Sequence, residues 1–117
     1  MSAFELLVGD ALSTTIIHAP HGGLVIPTQV REGIILSDEA LARETVVMAD
    51  IATDIMARDI YAHAHIKPWV FINKVSRLVI DPERFPDERE EMNAVGMGVV
   101  YTKTSDQQTL RLPDQLR

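Results

Sequence analysis

Apolar residues follow two different spacings along the chain, and each spacing predicts one kind of element. Short apolar runs bounded by Gly, Pro, Asn or Asp, many of them with β-branched or aromatic residues, are typical of strands. Five segments fit this description: residues 4–10 (FELLVGD), 13–19 (STTIIHA), 67–72 (KPWVFI), 76–82 (SRLVIDP) and 98–104 (GVVYTKT). We therefore predict five short strands.

One long segment has the helical spacing instead. Residues 38–61 (DEALARETVVMADIATDIMARDIY) contain neither Gly nor Pro. Leu41, Met48 and Ile55 recur there at the spacing of one helix face. Ser37 precedes the segment as a candidate N-cap, and the two acidic residues after it suit the positive end of a helix dipole. The pattern predicts a single continuous helix.

The remaining segments are predicted to be loops. Glycines and prolines interrupt residues 21–36, and residues 81–98 are polar, with one helical turn expected around residues 88–93. The tail, residues 105–117, is expected to contribute little apolar surface. Strands flanking a long helix predict an α/β domain with a mixed β-sheet and flanking helices, formed by residues 1–117 as a single domain.

Composition narrows the range of functions. The chain has 117 residues, of which 46% are hydrophobic, enough for a real core. Its 17 acidic and 11 basic residues give a formal charge of −6, which argues against a nucleic-acid partner. There is no cysteine, which excludes disulfides and thiolate chemistry, and no segment is apolar over the ~18 residues of a membrane span. These features predict a cytoplasmic protein, and they allow a homo-oligomer.

Two pairs of histidines are candidates for metal chemistry. His18 and His21 would point to opposite faces of an extended segment unless the turn at Pro20 rotates one of them. His21 is the better placed, because the glycines after it leave room for a ligand; the alternative is a loop histidine beside a tight turn. His63 and His65 would share a face if extended, a spacing that can hold a metal. The alternative for that pair is an exposed strand start.

Acidic residues on the predicted helix offer oxygen ligands. Asp50 and Asp54 are four residues apart and share a helix face, and Arg58 continues that row. One carboxylate could reach the end of the sheet and act as a ligand beside a histidine. The alternative is a solvated acidic stripe with an Asp54–Arg58 pair.

Two arginines lie on either side of the run LVIDPE. The planar guanidinium of Arg77 or Arg84 could hold a substrate carboxylate in bidentate fashion. Alternatively, both form structural salt bridges to nearby carboxylates, for which Asp81, Glu83 and Asp87 are the candidates.

Four segments, in order, resemble the N-formylglutamate amidohydrolase (N-formylglutamate deformylase) family. They are HAPHGGLVIP, MADIATDIM, VSRLVIDPERFPDE and GMGVVYTKTS, and the resemblance extends over about residues 16–111. It implies a fold similar to that of the zinc carboxypeptidases, with one metal at the carboxyl edge of the sheet. It also implies that His21 and Asp50 are zinc ligands and that Arg77 and Arg84 bind the carboxylates of the substrate.

The implied reaction is hydrolysis of N-formyl-L-glutamate, or of a related N-acyl amino acid, to formate and glutamate. Two departures keep alternatives open. Glu83 occupies a position that is usually asparagine in the family, which would suit a different acyl amino acid. Family members are also much longer, and their later half supplies a further histidine ligand and the acid–base glutamate. The chain would then be the N-terminal portion of such a domain. The alternative is a truncated or degenerate member that serves as a non-catalytic binding domain.

Overall fold

The fold is built on a three-stranded mixed sheet with helices beside it, which confirms the predicted α/β class. The computed structural model describes residues 2–116. Its elements, in chain order, are β1 (Phe4–Leu7), β2 (Ile16–Ala19), α1 (Thr28–Arg31), α2 (Asp38–Met48), α3 (Thr53–His63), β3 (Trp69–Asn73) and two 3₁₀ helices (Glu91–Val95 and Pro113–Leu116).

Strand β3 forms the centre of the sheet, in the order β1-β3-β2. β1 pairs with it antiparallel and β2 pairs with it parallel, so that His18 and Leu6 both lie opposite Phe71. Helix α3 packs against β2 and β3. The buried residues between them form the sheet cluster, which consists of Ala19, Ala57, Val70 and Ile72, with Leu7, Ile17 and Tyr61 packed around it.

The other face of the sheet is open. Phe4 and Trp69 keep 47% and 36% of their surface exposed, and Ile16 keeps 77%. The rings of Phe4 and Phe71 stack at 4.9 Å between centroids, and the His18 ring meets Phe71 edge-on at 5.4 Å. The strands therefore alternate between a covered face and an apolar face that is still accessible.

A second group of buried residues lies among loops. This loop cluster consists of Ile34, Leu41, Leu78, Met97, Tyr101 and Leu110. Leu110 is fully buried, so the expectation that the tail contributes little apolar surface was wrong.

The predicted strands over residues 76–82 and 98–104 were also wrong. The first segment is a turn, in which the Val79 amide donates to the carbonyl of Ser76 at 2.9 Å. The second is irregular apart from one isolated bridge between Lys103 and Thr109. The two segments contain apolar residues because Leu78 and Tyr101 are buried in the loop cluster. Burial in that cluster does not require a β-strand.

The predicted single helix is two helices. α2 begins after its Ser37 cap, whose hydroxyl accepts from the Ala40 amide at 3.2 Å, and it ends at Met48. α3 begins at Thr53 after Ala52, which has a left-handed φ of 71°. Within residues 2–116, no helix is long and apolar enough to cross a membrane.

The break arises from a tertiary contact. The Asp50 amide donates to the backbone carbonyl of His21 at 2.9 Å instead of continuing the ladder of α2. The Asp50 carbonyl in turn accepts from the amide and the hydroxyl of Thr53 at 3.2 and 2.8 Å, which starts α3. A backbone contact from a distant segment thus overrides local helix propensity.

Ala52→Gly is expected to stabilise the protein. A left-handed φ costs a residue with a Cβ about 1–2 kcal/mol, whereas glycine adopts it freely and loses about 0.5–1 kcal/mol through its greater freedom when unfolded. The free energy of unfolding in urea should therefore rise by roughly 0.5–1 kcal/mol. Ala49→Gly is the matched control, because Ala49 has an ordinary φ of −83° and should only lose stability. Equal losses in both variants would contradict a left-handed Ala52.

Candidate functional site

His21 lies two residues beyond β2 and is 6% exposed. Its Nε2 is 2.7 Å from Oδ1 of Asp81, and its Nδ1 is 3.5 Å from Oδ2 of Asp50. The structure thus brings together the two residues predicted to be metal ligands. A third residue, Asp81, also contacts His21. Sequence reasoning had considered Asp81 only as a partner for the arginines.

The glycines after His21 make this packing possible. A Cβ on Gly22 would lie 2.7 Å from the Thr53 hydroxyl, and one on Gly23 would lie 2.4 Å from the backbone carbon of Lys74. Their missing side chains therefore admit the start of α3 and the end of β3. They thus allow the close approach of three chain segments. Both glycines also line a surface cavity of about 300 Å³, so the expectation that they make room for a ligand stays a prediction.

Asp81 is completely buried and accepts hydrogen bonds on both oxygens. Oδ1 is hydrogen-bonded to His21 Nε2 at 2.7 Å and accepts from the Glu83 amide at 3.0 Å. Oδ2 accepts from Nε and Nη2 of Arg77 at 3.1 and 2.8 Å and from the Tyr101 hydroxyl at 2.7 Å. A buried carboxylate is tolerated when it is paired and hydrogen-bonded in this way.

The electrostatics follow from these contacts. Burial by itself would raise the pKa of Asp81, but the hydrogen bonds from His21, Tyr101, Glu83 and Arg77 lower it to about 2. Burial opposes the charge of Arg77, yet its bond to Asp81 leaves the pKa of Arg77 raised. The pKa of Tyr101 is raised by burial and by its bond to the Asp81 carboxylate. Asp81 is therefore an anion that only accepts, surrounded by donors.

The two arginines differ in how fully the protein uses them. Arg77 donates to Asp81 and, at 3.4 Å, to the carbonyl of Met48, which matches the structural alternative left open by the sequence. Arg84 lies 3.5 Å from Asp81 and 3.8 Å from Glu90, without hydrogen-bond geometry. Its buried Nε has no hydrogen-bond partner in the part of the chain that the structure describes. Arg84 also lines a surface cavity of about 320 Å³.

The other candidates lie apart from His21. His18 is exposed on the open face of the sheet. His63 ends α3 with its Nδ1 2.8 Å from the Asp59 carbonyl, and His65 follows outside the helix, so the two do not form an extended chelating pair. Asp54 pairs with Arg58 at 3.9 Å, which matches the alternative left open by the sequence. Across residues 2–116, no group of three or more His, Asp or Glu side chains is arranged to hold a metal ion.

A histidine and a carboxylate lie at one end of a mixed α/β sheet, beside a buried acid and two arginines, which defines an α/β protein with a candidate ligand site at the sheet edge. The comparison with protein families agrees with this class. The model of the N-formylglutamate amidohydrolase family matches residues 13–116, and the chain belongs to that family. The resemblance seen in the sequence is thereby confirmed.

A solved structure has a similar fold. It is the crystal structure of N-formylglutamate amidohydrolase from Ralstonia eutropha JMP134, with a TM-score of 0.71 and 17% sequence identity. The match covers 93% of the present chain but 42% of that protein, so the chain spans less than half the length of this structural neighbour. No curated protein matches the chain.

Folding stability is expected to depend on the charge of Asp81. Its pKa falls from an ordinary 3.8 to about 2 on folding. The carboxylate therefore stabilises the folded state fully above about pH 4, and this contribution is lost as the pH falls towards about 2. The shift corresponds to about 2 kcal/mol.

The measurement is the free energy of unfolding of the wild type and of Asp81→Asn over this range of pH. Their difference should shrink as the pH falls, because the variant has no carboxylate to protonate at this position. A difference that is independent of pH would show that Asp81 is not an ionised acceptor in the folded state.

Proposed function

We propose that the chain forms the N-terminal part of a metal-dependent amidohydrolase that cleaves N-formyl-L-glutamate or a related N-acyl amino acid to formate and the free amino acid. Family membership supports the reaction class. The observation that carries the proposal is the approach of His21 Nδ1 to Asp50 Oδ2 at 3.5 Å. Likeness to the zinc carboxypeptidases is a further part of this proposal.

His21 Nδ1 and Asp50 Oδ2 are donor types that zinc binds in proteins. Nitrogen and oxygen ligands at ~2.0–2.2 Å around a tetrahedral centre lie ~3.3–3.5 Å apart, close to the observed separation of the two atoms. Asp50 keeps 55% of its side chain exposed, which leaves this side of the pair accessible. We propose two ligands from this chain, and a catalytic zinc site ordinarily has three. A further ligand from elsewhere in a longer protein is therefore part of the proposal.

Each residue has a distinct proposed task. His21 and Asp50 would hold the metal, and the chemistry that zinc supplies when bound is polarisation of the amide carbonyl and activation of water. Arg84 would bind a substrate carboxylate, since its side chain lines a surface cavity and a guanidinium can hold a carboxylate in bidentate fashion. Arg77 is paired with Asp81 and would contribute positive charge beside Arg84. A carboxylate would carry the proton to the leaving nitrogen, and we assign no described residue to that role.

Glu83 supports an alternative choice of substrate. Its side chain is exposed beside Arg84, while its backbone amide is held by Asp81. A negative charge there would weaken binding of a dianionic substrate such as N-formyl-L-glutamate. An acyl amino acid with a neutral or cationic side chain is therefore the second candidate substrate.

Zinc binding by the purified chain is expected to be weak, because two ligands hold a metal poorly. Calorimetric titration should detect zinc binding that is lost in His21→Ala and in Asp50→Ala. His63→Ala is the control and should bind as the wild type does, since His63 lies at the end of α3. Turnover of N-formyl-L-glutamate should be slight. Robust turnover abolished by a chelator would contradict the need for a further ligand, and zinc binding unaffected by His21→Ala would contradict the site itself.

Arg84→Ala is expected to weaken binding of N-formyl-L-glutamate. A lost charge-assisted hydrogen bond costs about 1.5–3 kcal/mol, which raises Kd roughly 10–100-fold. Arg84→Lys should restore part of this affinity, because lysine keeps the charge but loses the planar fork. Arg43→Ala is the matched control, since Arg43 is exposed on α2 and lines a different cavity.

Ligand affinity, melting temperature and bound zinc should be measured on the same samples. The proposal expects Arg84→Ala to bind the ligand more weakly than the wild type and to contain the same amount of bound zinc. A fall in melting temperature with unchanged ligand affinity would instead give Arg84 a purely structural role.

A further inference from the structure

The two oxygens of Asp81 serve different partners. Oδ1 faces the His21 ring and the Glu83 amide, whereas Oδ2 faces the Arg77 guanidinium and the Tyr101 hydroxyl. The guanidinium and the amide can only donate. The Tyr101 hydroxyl also donates, because it lies 2.7 Å from Oδ2 of a carboxylate that is already paired with Arg77.

This environment decides where the proton of a neutral His21 ring sits. An ionised carboxylate has no hydrogen to give, so at 2.7 Å the ring must donate through Nε2. Nδ1 then carries a lone pair, and that lone pair lies on the side of Asp50. Two acceptors therefore face each other across 3.5 Å, an arrangement that a cation between them would relieve.

We propose that Asp81 is a positioning residue, which fixes His21 in the tautomer protonated on Nε2 and thereby presents Nδ1 as the free nitrogen beside Asp50. Arg77 and Tyr101 support this role by holding the opposite oxygen. The purpose of the free nitrogen rests on the proposed function, because it would be the atom that holds the metal. The choice of tautomer does not, since it follows from contacts within the chain.

Asp81→Asn gives a sharp test, because the new amide must choose an orientation. Three hydrogen bonds, from Arg77 Nε, Arg77 Nη2 and Tyr101, require an acceptor at the Oδ2 position. The amide oxygen satisfies all three there, whereas the opposite orientation would satisfy, apart from His21, only the Glu83 amide. The Glu83 amide then loses its acceptor, and the NH₂ group lies against His21 Nε2. That nitrogen must then accept, and the ring proton moves to Nδ1. The same kind of tautomer change follows loss of a carboxylate behind a catalytic histidine in serine proteases.

The experiment is a long-range ¹H–¹⁵N NMR spectrum of the histidine rings in the metal-free full chain, recorded where the His21 ring is neutral. The wild type is expected to show Nε2–H, and Asp81→Asn is expected to show Nδ1–H. His18, His63 and His65 serve as internal references. Asp87→Asn is the matched control, because it makes the same chemical change at a nearby carboxylate that pairs with Arg89. It should leave the tautomer of His21 unchanged.

A second variant separates positioning from simple loss of stability. Tyr101→Phe removes one hydrogen bond to Asp81 but keeps the carboxylate, so His21 should remain protonated on Nε2 even if the variant melts at a lower temperature. Nδ1–H in the wild type would overturn the proposal without any variant, including the case in which Asp81→Asn does not fold. An unchanged tautomer in folded Asp81→Asn would overturn it as well.

Zinc titration of the same samples tests the link to function. Loss of a partner that orients a metal-bound histidine typically costs 10–100-fold in metal affinity, and this loss is expected for Asp81→Asn but not for Asp87→Asn. A tautomer change together with no zinc binding by the wild type would refute the metal site and leave the role of Asp81 intact. A tautomer change with unaltered zinc affinity would refute the use of Nδ1 as the ligand atom.

Discussion

The buried charge of Asp81 is the constraint on which the arrangement of the site depends. A carboxylate without solvent must be surrounded by donors, and here they come from distant parts of the chain. His21 follows β2, Arg77 belongs to the turn after β3, and Tyr101 fills the loop cluster. One side chain thus joins the end of the sheet to the loops that pack beside it. Removing any donor would leave the buried carboxylate with an unsatisfied oxygen, which is costly, so these bonds tie the irregular loops to the end of the sheet.

Local sequence predicted the parts of the fold that local physics controls. The cores of the three observed strands lie inside predicted short apolar runs, and Ser37 caps α2 because its hydroxyl satisfies a free helix amide. The break before Ala52 could not be predicted, since no Gly or Pro occurs there and the cause is a backbone bond to His21. The apolar runs around Leu78 and Tyr101 were misassigned because periodicity reports burial, and burial also occurs in loops.

The candidate site, too, could be predicted only in part from the sequence. Family resemblance pointed to His21 and Asp50, and the structure brings their side chains together. The orientation of the His21 ring depends on Asp81, 60 residues further along the chain, and no local spacing carries that information. The signal that could have found it was an acidic residue directly after a buried apolar run and between two arginines. Tyr101 gave no signal, because a tyrosine in an apolar run is indistinguishable from any other core residue.

The open face of the sheet has a practical consequence for observing the protein. Trp69 is the single tryptophan of the chain, and it lies on that face at the start of β3 with about a third of its surface exposed. Its partner across the strands is Ile16, which is more exposed still. Intrinsic fluorescence of the protein therefore comes from one indole at the boundary between apolar surface and water. Any polypeptide that covers this face would shift that emission to shorter wavelength, so the chain carries its own optical reporter.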